Sequence, residues 1–386
     1  MGVGHKIKVL IVDDSALVRR AISEALAADK DIEVVGVAND PFIAREKILT
    51  LKPDVLTLDI EMPRMDGLTF LKILKQHHPM PVLVVSSLTE AGSEIAMECL
   101  EAGATEVLSK PDGSMSIGAL GAQLACHVKA VYEAGQTLKR RVARQPKSTG
   151  STPPSAAVSS PSNAILNPVT ATKSRAENNT PTDVPHVHIT PRVKDKRLLV
   201  IGSSTGGVEA LRCVIPSLPK NCPPTVIVQH IPALFSKVLA QRLNNMSQVE
   251  VREAVDGDLL TEGLCLLAPG GYHALIFTTP TGYQVRLTQT PPIHFCRPAV
   301  DVLFKSASRA AGANTTAVLL TGMGRDGAQG MLDVLNAGGD TIAEDESTCI
   351  VFGMPRAAGL LNAVKTKIAL PNIAQGIATS LNKLGA

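Results

Sequence analysis

Tryptophan is absent from this 386-residue chain, and aromatic residues make up only 3% of it. The interior must therefore be filled by aliphatic side chains, and Val/Ile/Leu runs are what parallel sheets covered on both faces require. A strong charge of either sign is also missing, with 38 Lys and Arg against 35 Asp and Glu. Eight Lys/Arg and only two Asp/Glu fall between positions 134 and 193, a local +6, so the rest of the chain carries −3 of the net +3. That balance excludes a nucleic-acid binder on charge grounds. Cysteine is sparse, seven in all with no CxxC, which argues against a disulfide framework and for free thiols in a reducing compartment. No apolar run approaches the roughly 18–20 residues of a membrane span. The opening MGVGHKIKVLIVDD has too short an apolar run for a signal peptide and ends on two aspartates. The expectation is a cytoplasmic protein with no membrane insertion.

What is present is a repeated alternation of short apolar runs and helical stretches. Over residues 7–133 it runs KVLIVDD, IEVVGVA, DVLTLDI, PVLVVSS and TEVLSKP, each followed by a helix. Five such repeats predict an α/β domain, a doubly wound parallel five-stranded sheet. Residues 134–193 break the pattern. They are Ser/Thr/Pro/Asn-rich and basic with no apolar period, and are expected to form a disordered linker. His186 and His188 within it form an HxH pair that reads as solvated. From 194 to 386 the alternation returns in RLLVIG, TVIVQH, TAVLLTG and DTIAED. A second α/β domain is expected there, with a mostly parallel sheet and an antiparallel excursion from LCLLAP through QVRLTQ, turning at TPTG as a β-hairpin.

Strand ends in the first domain collect Asp13, Asp14, Asp59, Ser86 and Lys110. Carboxylates so placed repel one another unless a hard cation such as Mg²⁺ neutralises them. The cation would also offset charge on an incoming phosphoryl group, with Lys110 as a further point charge and Ser86 as a hydroxyl that closes on the phosphate. In the second domain IGSSTGG follows one apolar run, His230 ends a second and Asp326 lies in GMGRDG after a third. A serine, an imidazole and a carboxylate at neighbouring strand ends are the parts of an activated nucleophile. Composition does not separate Ser203 from Ser204. The N–H groups opening the helix after the glycines are suited to hold an oxyanion. GMGRDG also matches GxGxxG in form, which keeps a nucleotide-binding oxidoreductase as a rival. Asp326 would there place a carboxylate where a pyrophosphate must sit.

Residues 7 to about 130 resemble the response-regulator receiver domain. The resemblance implies Asp59 as phosphoacceptor, Asp13, Asp14, Asp59 and the Glu61 backbone carbonyl as Mg²⁺ ligands, Ser86 as the switch hydroxyl and Lys110 as the phosphate partner. Many receivers carry an aromatic three residues before that lysine, where this chain has Val107. IGSSTGGVEAL, TVIVQHIPALFSKVLAQRL, APGGYHA, RPAVDVLF, LLTGMGRDGAQGM and IVFGMPRAA together resemble the catalytic domain of the chemotaxis protein-glutamate methylesterases, the CheB-type response regulators. That resemblance carries the nucleophile to Ser204, the base to His230, the orienting carboxylate to Asp326 and the oxyanion donors to the Thr205 and Met323 backbones. It implies a phosphorylation-activated serine hydrolase that demethylates chemoreceptor glutamates, releases methanol and also deamidates receptor glutamines, with no cofactor for the esterase step. The implied partners are methyl-accepting chemoreceptors as substrate and a sensor histidine kinase as phosphodonor, with the enzyme acting as a monomer. In its resting form the receiver is expected to cover the esterase cleft. The non-enzymatic alternative is a phospho-dependent docking regulator.

Overall fold

Short apolar runs become strands and the amphipathic stretches between them become helices. The computed structural model describes residues 6–86, 89–110, 117–144, 187–192 and 195–384. The N-terminal unit runs β1 (Ile7–Val12), α1 (Ala16–Ala27), β2 (Ile32–Ala38), α2 (Pro41–Leu51), β3 (Val55–Asp59), α3 (Gly67–His77), β4 (Val82–Ser86), α4 (Glu90–Glu101), β5 (Glu106–Ser109) and α5 (Ile117–Arg144). Side chains written into the sequence start these helices. Asp40 accepts the N–H groups of Phe42 and Ile43 at 2.8 and 2.9 Å with Pro41 in the first turn, and Asp66 accepts that of Thr69 at 2.7 Å. The strands pair in parallel in the order β2-β1-β3-β4-β5. The order reverses between β1 and β3, and the carboxylates of Asp13, Asp14 and Asp59 emerge at that crevice.

Two boundaries of the expected linker need correction. Residues 134–144, assigned to it from sequence, continue α5, which is 28 residues long. Ala134 is buried there, and Arg141 Nη2 donates to the Cys349 carbonyl at 2.7 Å, so the far end of the helix is tied to the second unit. At the other side, the Val187 N–H donates to Ser217 O at 3.1 Å and Ile189 is buried in the second core, so residues 187–192 belong with that unit. Residues 145–186 and 193, the rest of the expected disordered segment, lie outside the described residues.

The C-terminal unit comprises β6 (Leu198–Ser203), α6 (Gly207–Val214), β7 (Thr225–Gln229), α7 (Phe235–Met246), β8 (Glu250–Glu253), β9 (Leu259–Leu260), β10 (Leu264–Leu267), β11 (His273–Thr279) and β12 (Gly282–Thr288). It continues with α8 (Val300–Ala311), β13 (Thr315–Leu319), α9 (Ala328–Asn336), β14 (Asp340–Glu344), α10 (Met354–Leu360), β15 (Thr366–Ile368) and α11 (Ile373–Lys383). Seven strands form one parallel sheet ordered β15-β14-β13-β6-β7-β10-β8. Its central strands are buried on both faces, as their unbroken aliphatic runs require. β11 and β12 form the expected hairpin, closing at Thr279 and Gly282, with β9 as a third strand. LCLL does not join that excursion, because β10 pairs in parallel with β7 and β8. The sheet order turns back at β6, with β7 on one side and β13 on the other, so the loops after these three strands share one crevice.

The two units meet along α4 and α7. Met97 is buried in the same cluster as Leu239, Ala240 and Leu243, while Phe235 is buried in the cluster of Ala96, Ala104 and Val107. Around this apolar seam Arg242 pairs with Glu101 at 2.6 Å, and Arg212 approaches the same carboxylate at 3.5 Å. Such half-exposed pairs contribute at most about 1 kcal/mol each. The seam therefore rests mainly on its buried apolar side chains.

Candidate active site

Ser203 closes β6 and is fully buried, its Oγ donating to Gln229 Oε1 at 2.6 Å. The next residue points the other way by strand alternation, which places Ser204 at the crevice and separates two serines that composition alone leaves equivalent. Gly206, at φ +79, and Gly207 turn the chain into α6. A Cβ on Gly207 would lie 2.1 Å from Gln229 Oε1, so only glycine permits the close approach that holds Ser203 back. The Ser204 N–H donates to Thr321 O at 3.0 Å, and Gly322 packs against the Ser204 Cβ, which brings the loop after β13 alongside the nucleophile loop. Among the described residues no hydrogen bond uses the N–H of Thr205 or of Met323. Those two donors are left over in the two loops that flank Ser204.

His230 follows β7, and its N–H donates to Ser203 O at 3.1 Å. Its Nε2 lies 2.8 Å from Asp326 Oδ2. Asp326 is buried and also accepts the N–H groups of Val300 at 2.7 Å and Asp301 at 3.0 Å, so it caps α8 while it holds the imidazole. Burial alone would push the Asp326 carboxyl up. The His230 hydrogen bond and charge, with the two backbone donors, outweigh it and keep the group ionised below its ordinary range. Burial likewise opposes a charged His230, but the charge of Cys296 and the hydrogen bonds of Asp326 and Cys296 raise its pKa well above 6.5. The inward turn of Asp326 also places a negative charge in the GMGRDG loop, the wrong lining for a pyrophosphate.

Ser204 and His230 line one cavity of about 50 Å³, whose other walls include Leu100, Thr105, Glu106 and Val107 of the N-terminal unit. Ser204 is only 8% exposed. In this closed arrangement no hydrogen bond joins Ser204 Oγ to His230, because one ring nitrogen is on Asp326 and the other, Nδ1, faces Cys296 Sγ at 3.5 Å. The sequence reading did not find Cys296. Nor did it find Glu106, which accepts the Thr205 hydroxyl at 3.0 Å with one oxygen and lies 2.9 Å from His127 Nδ1 with the other. That pair bridges the two units beside the nucleophile.

At the first crevice Lys110 Nζ is 2.7 Å from Asp59 Oδ2 and 3.3 Å from Asp13 Oδ2. Neither oxygen has a donor in good hydrogen-bond geometry, although both are buried. Asp13, Asp14 and Asp59 each offer a carboxylate oxygen, all within 4.8 Å of one another. An orphaned, oxygen-only set of this kind fits a hard divalent cation. Burial first, and the Asp13 charge as well, drive the Asp59 pKa up to about 6 despite Lys110. Ser86 is buried at the end of β4, and the Lys110 N–H donates to its carbonyl at 2.7 Å. Glu61 sits in the loop after β3, its N–H 3.3 Å from Asp59 Oδ1.

Fold and site together define a serine-hydrolase domain walled in by a response-regulator receiver. Residues 199–377 match the CheB methylesterase family and residues 9–118 the response regulator receiver domain. A protein-glutamate methylesterase/protein-glutamine glutaminase of Syntrophus aciditrophicus is 43% identical over 96% of this chain and 98% of its own length. A relative of the same description from Bdellovibrio bacteriovorus is 41% identical over 99% of both. The catalytic domain of the Thermotoga maritima CheB methylesterase is 40% identical, covering 47% of this chain and 97% of its own, with a TM-score of 0.47. The chain belongs to the protein-glutamate methylesterase/protein-glutamine glutaminase family, and it is a hydrolase.

Proposed function

We propose that this protein hydrolyses glutamate γ-methyl esters on methyl-accepting chemoreceptors, releasing methanol, and deamidates receptor glutamines by the same acyl chemistry. The observation that carries the reading is that Ser204 lines one cavity at the topological switch point with His230, whose Nε2 is held by Asp326. Ser204 Oγ attacks the γ-carbonyl as His230 takes its proton. The Thr205 and Met323 N–H groups hold the oxyanion, and Asp326 steadies the imidazolium. His230 then protonates the departing methoxide or ammonia, and water activated by the same base cleaves the acyl-enzyme.

The receiver supplies control. Asp59 accepts a phosphoryl group from a sensor histidine kinase, with Asp13, Asp14, Asp59 and the Glu61 carbonyl as the residues that would hold Mg²⁺. The cation's part is to offset charge on the phosphoryl oxygens. Lys110 and Ser86 close on the phosphate. β5 ends at Ser109, immediately before Lys110, and at its start it carries Glu106 and Val107, which wall the esterase cavity. A shift of that strand toward a phosphate therefore pulls on the Thr205 contact. In this reading the enzyme is a cytoplasmic monomer; no described helix is long and apolar enough to cross a membrane. The experiment is methanol release from methylated receptor with and without a small-molecule phosphodonor. Phosphodonor should accelerate the wild type, and Ser204→Ala should release nothing above background; full activity in that variant would refute the assignment.

A further inference from the structure

The imidazole of His230 faces a thiol that the esterase reaction does not use. Cys296 Sγ stands 3.5 Å from Nδ1, while Nε2 is held 2.8 Å from Asp326 Oδ2. This is a thiol, imidazole and carboxylate in line, the arrangement that makes a cysteine nucleophilic. The thiol is held there deliberately by the backbone. Ile293 and Cys296 exchange both backbone hydrogen bonds, at 3.1 and 2.9 Å, across a turn whose inner residues, His294 and Phe295, have φ +52 and +63. Two consecutive non-glycine residues in the left-handed region are disfavoured, so the surroundings must enforce the turn. They do so through buried His273, which lies 3.2 Å from Pro291 O and accepts the Ala299 N–H at 3.1 Å. Arg297 adds a donor to Gln289 O at 3.0 Å. Burial pushes the pKa of the other six cysteines up, and none of those has an imidazole partner.

We propose that Cys296 is a modification site at which hydroperoxides and soft electrophiles react, and that its modification switches the esterase off. His230 Nδ1 takes the thiol proton, and the sulfur attacks one peroxide oxygen. The O–O bond breaks, the sulfur is oxidised to a sulfenic acid, and the peroxide is reduced. Its other oxygen takes the proton from His230 and leaves as water, or as the alcohol where the oxidant is an organic hydroperoxide. The oxidised sulfur then occupies the face of the imidazole that Ser204 needs. A low-molecular-weight thiol reverses the change through a mixed disulfide.

The test uses the full-length protein and reads Cys296 by peptide mass after timed exposure to iodoacetamide at pH 6 to 9. The ionisable groups around the pair are Asp326 from the loop after β13, Asp301 from α8, His294 and Arg297 from its own segment, and Cys126 from α5. Cys296 should alkylate at least about tenfold faster at pH 7 than exposed Cys213, and His230→Gln should slow it by about tenfold, the effect of one unit in thiol ionisation. This arm needs no esterase activity, so its failure is distinct from failure of the methylesterase reading on which the second half of the proposal rests. In the second arm, peroxide should inactivate methanol release by the wild type, and dithiothreitol should restore it. Cys296→Ser, normalised to its own starting rate, should resist. Labelling of Cys296 no faster than Cys213, a rate indifferent to His230→Gln, or equal peroxide sensitivity in Cys296→Ser would overturn the proposal.

Discussion

At the residue scale the site is governed by who holds the proton of His230. Its pKa is raised, so the folded state binds a proton that an unfolded histidine has already released above about 6.5. The stability it contributes is full below 6.5 and is lost as pH rises through the raised value. Activity runs the opposite way, because the base must be neutral to accept from Ser204. We expect kcat/KM to fall on the acidic side with a limb well above 6.5. Cys296→Ala, which removes the largest contribution holding the proton on, should move that limb to lower pH, and a pH–rate profile of both enzymes checks it. An unmoved limb would mean that Cys296 does not set the state of the base. Ser204→Ala should lower kcat by on the order of 10³-fold or more with the fold intact, since it removes the hydroxyl that attacks the γ-carbonyl in the proposed reaction. Much of this was legible in the chain. Ser204, His230 and Asp326 each lie in the loop that follows an apolar strand, and that position is a sequence signal. Cys296 lies in an irregular segment with no period, and only the folded turn brings it to the histidine.

At the scale of elements, the crevice between β1 and β3 carries a charge problem that the cation would solve. Asp59 is raised to about 6, so the receiver keeps that share of its stability below about pH 3.8 and loses it as pH rises through about 6. Mg²⁺ should therefore raise the Tm of the full chain more at pH 7.5 than at pH 5, as measured by calorimetry. Asp59→Asn should raise Tm without Mg²⁺ and diminish the Mg²⁺-dependent gain. Equal Mg²⁺ effects at both pH values would detach the cation from Asp59. Most strands were readable as aliphatic runs, and several N-terminal helices by their capping residues, whereas LCLL, an aliphatic run like the others, joined the parallel sheet instead of the hairpin. The length of α5 was not readable, because TLKRRVAR is polar enough to pass for linker. Its helical register is supported by packing and by the Arg141 bond to the second unit, which lie outside the segment itself.

At the scale of the whole molecule, the proposed regulation would rest on a seam between two units that no local pattern in the chain announces. Its polar parts among the described residues include Arg242 and Arg212 with Glu101, Arg141 with Cys349, and Glu106 with Thr205. Arg242→Glu would set like charges against each other across α4 and α7, beside buried Met97 and Phe235. The expected result is several-fold higher methanol release without phosphodonor and a smaller response when phosphodonor is added, a weakening of roughly 1–2 kcal/mol in the closed state. Glu106→Ala should act in the same direction by freeing Thr205 beside the nucleophile. Unchanged basal rates in both variants would show that the seam does not restrain the esterase. Membership of the family was visible in the motifs, but which side chains press the receiver onto the cavity was not, since Glu106 and Thr205 are 99 positions apart.

One carboxylate ties these scales together. Asp326 is at once the support of the imidazole and the start of α8, so catalysis and architecture draw on the same two oxygens. A descendant of this chain that gave up its chemistry could discard Ser204 freely, yet dropping Asp326 would loosen a helix. Relatives that have become silent scaffolds should thus still carry the aspartate, and the first trace of their silence should be found at the hydroxyl.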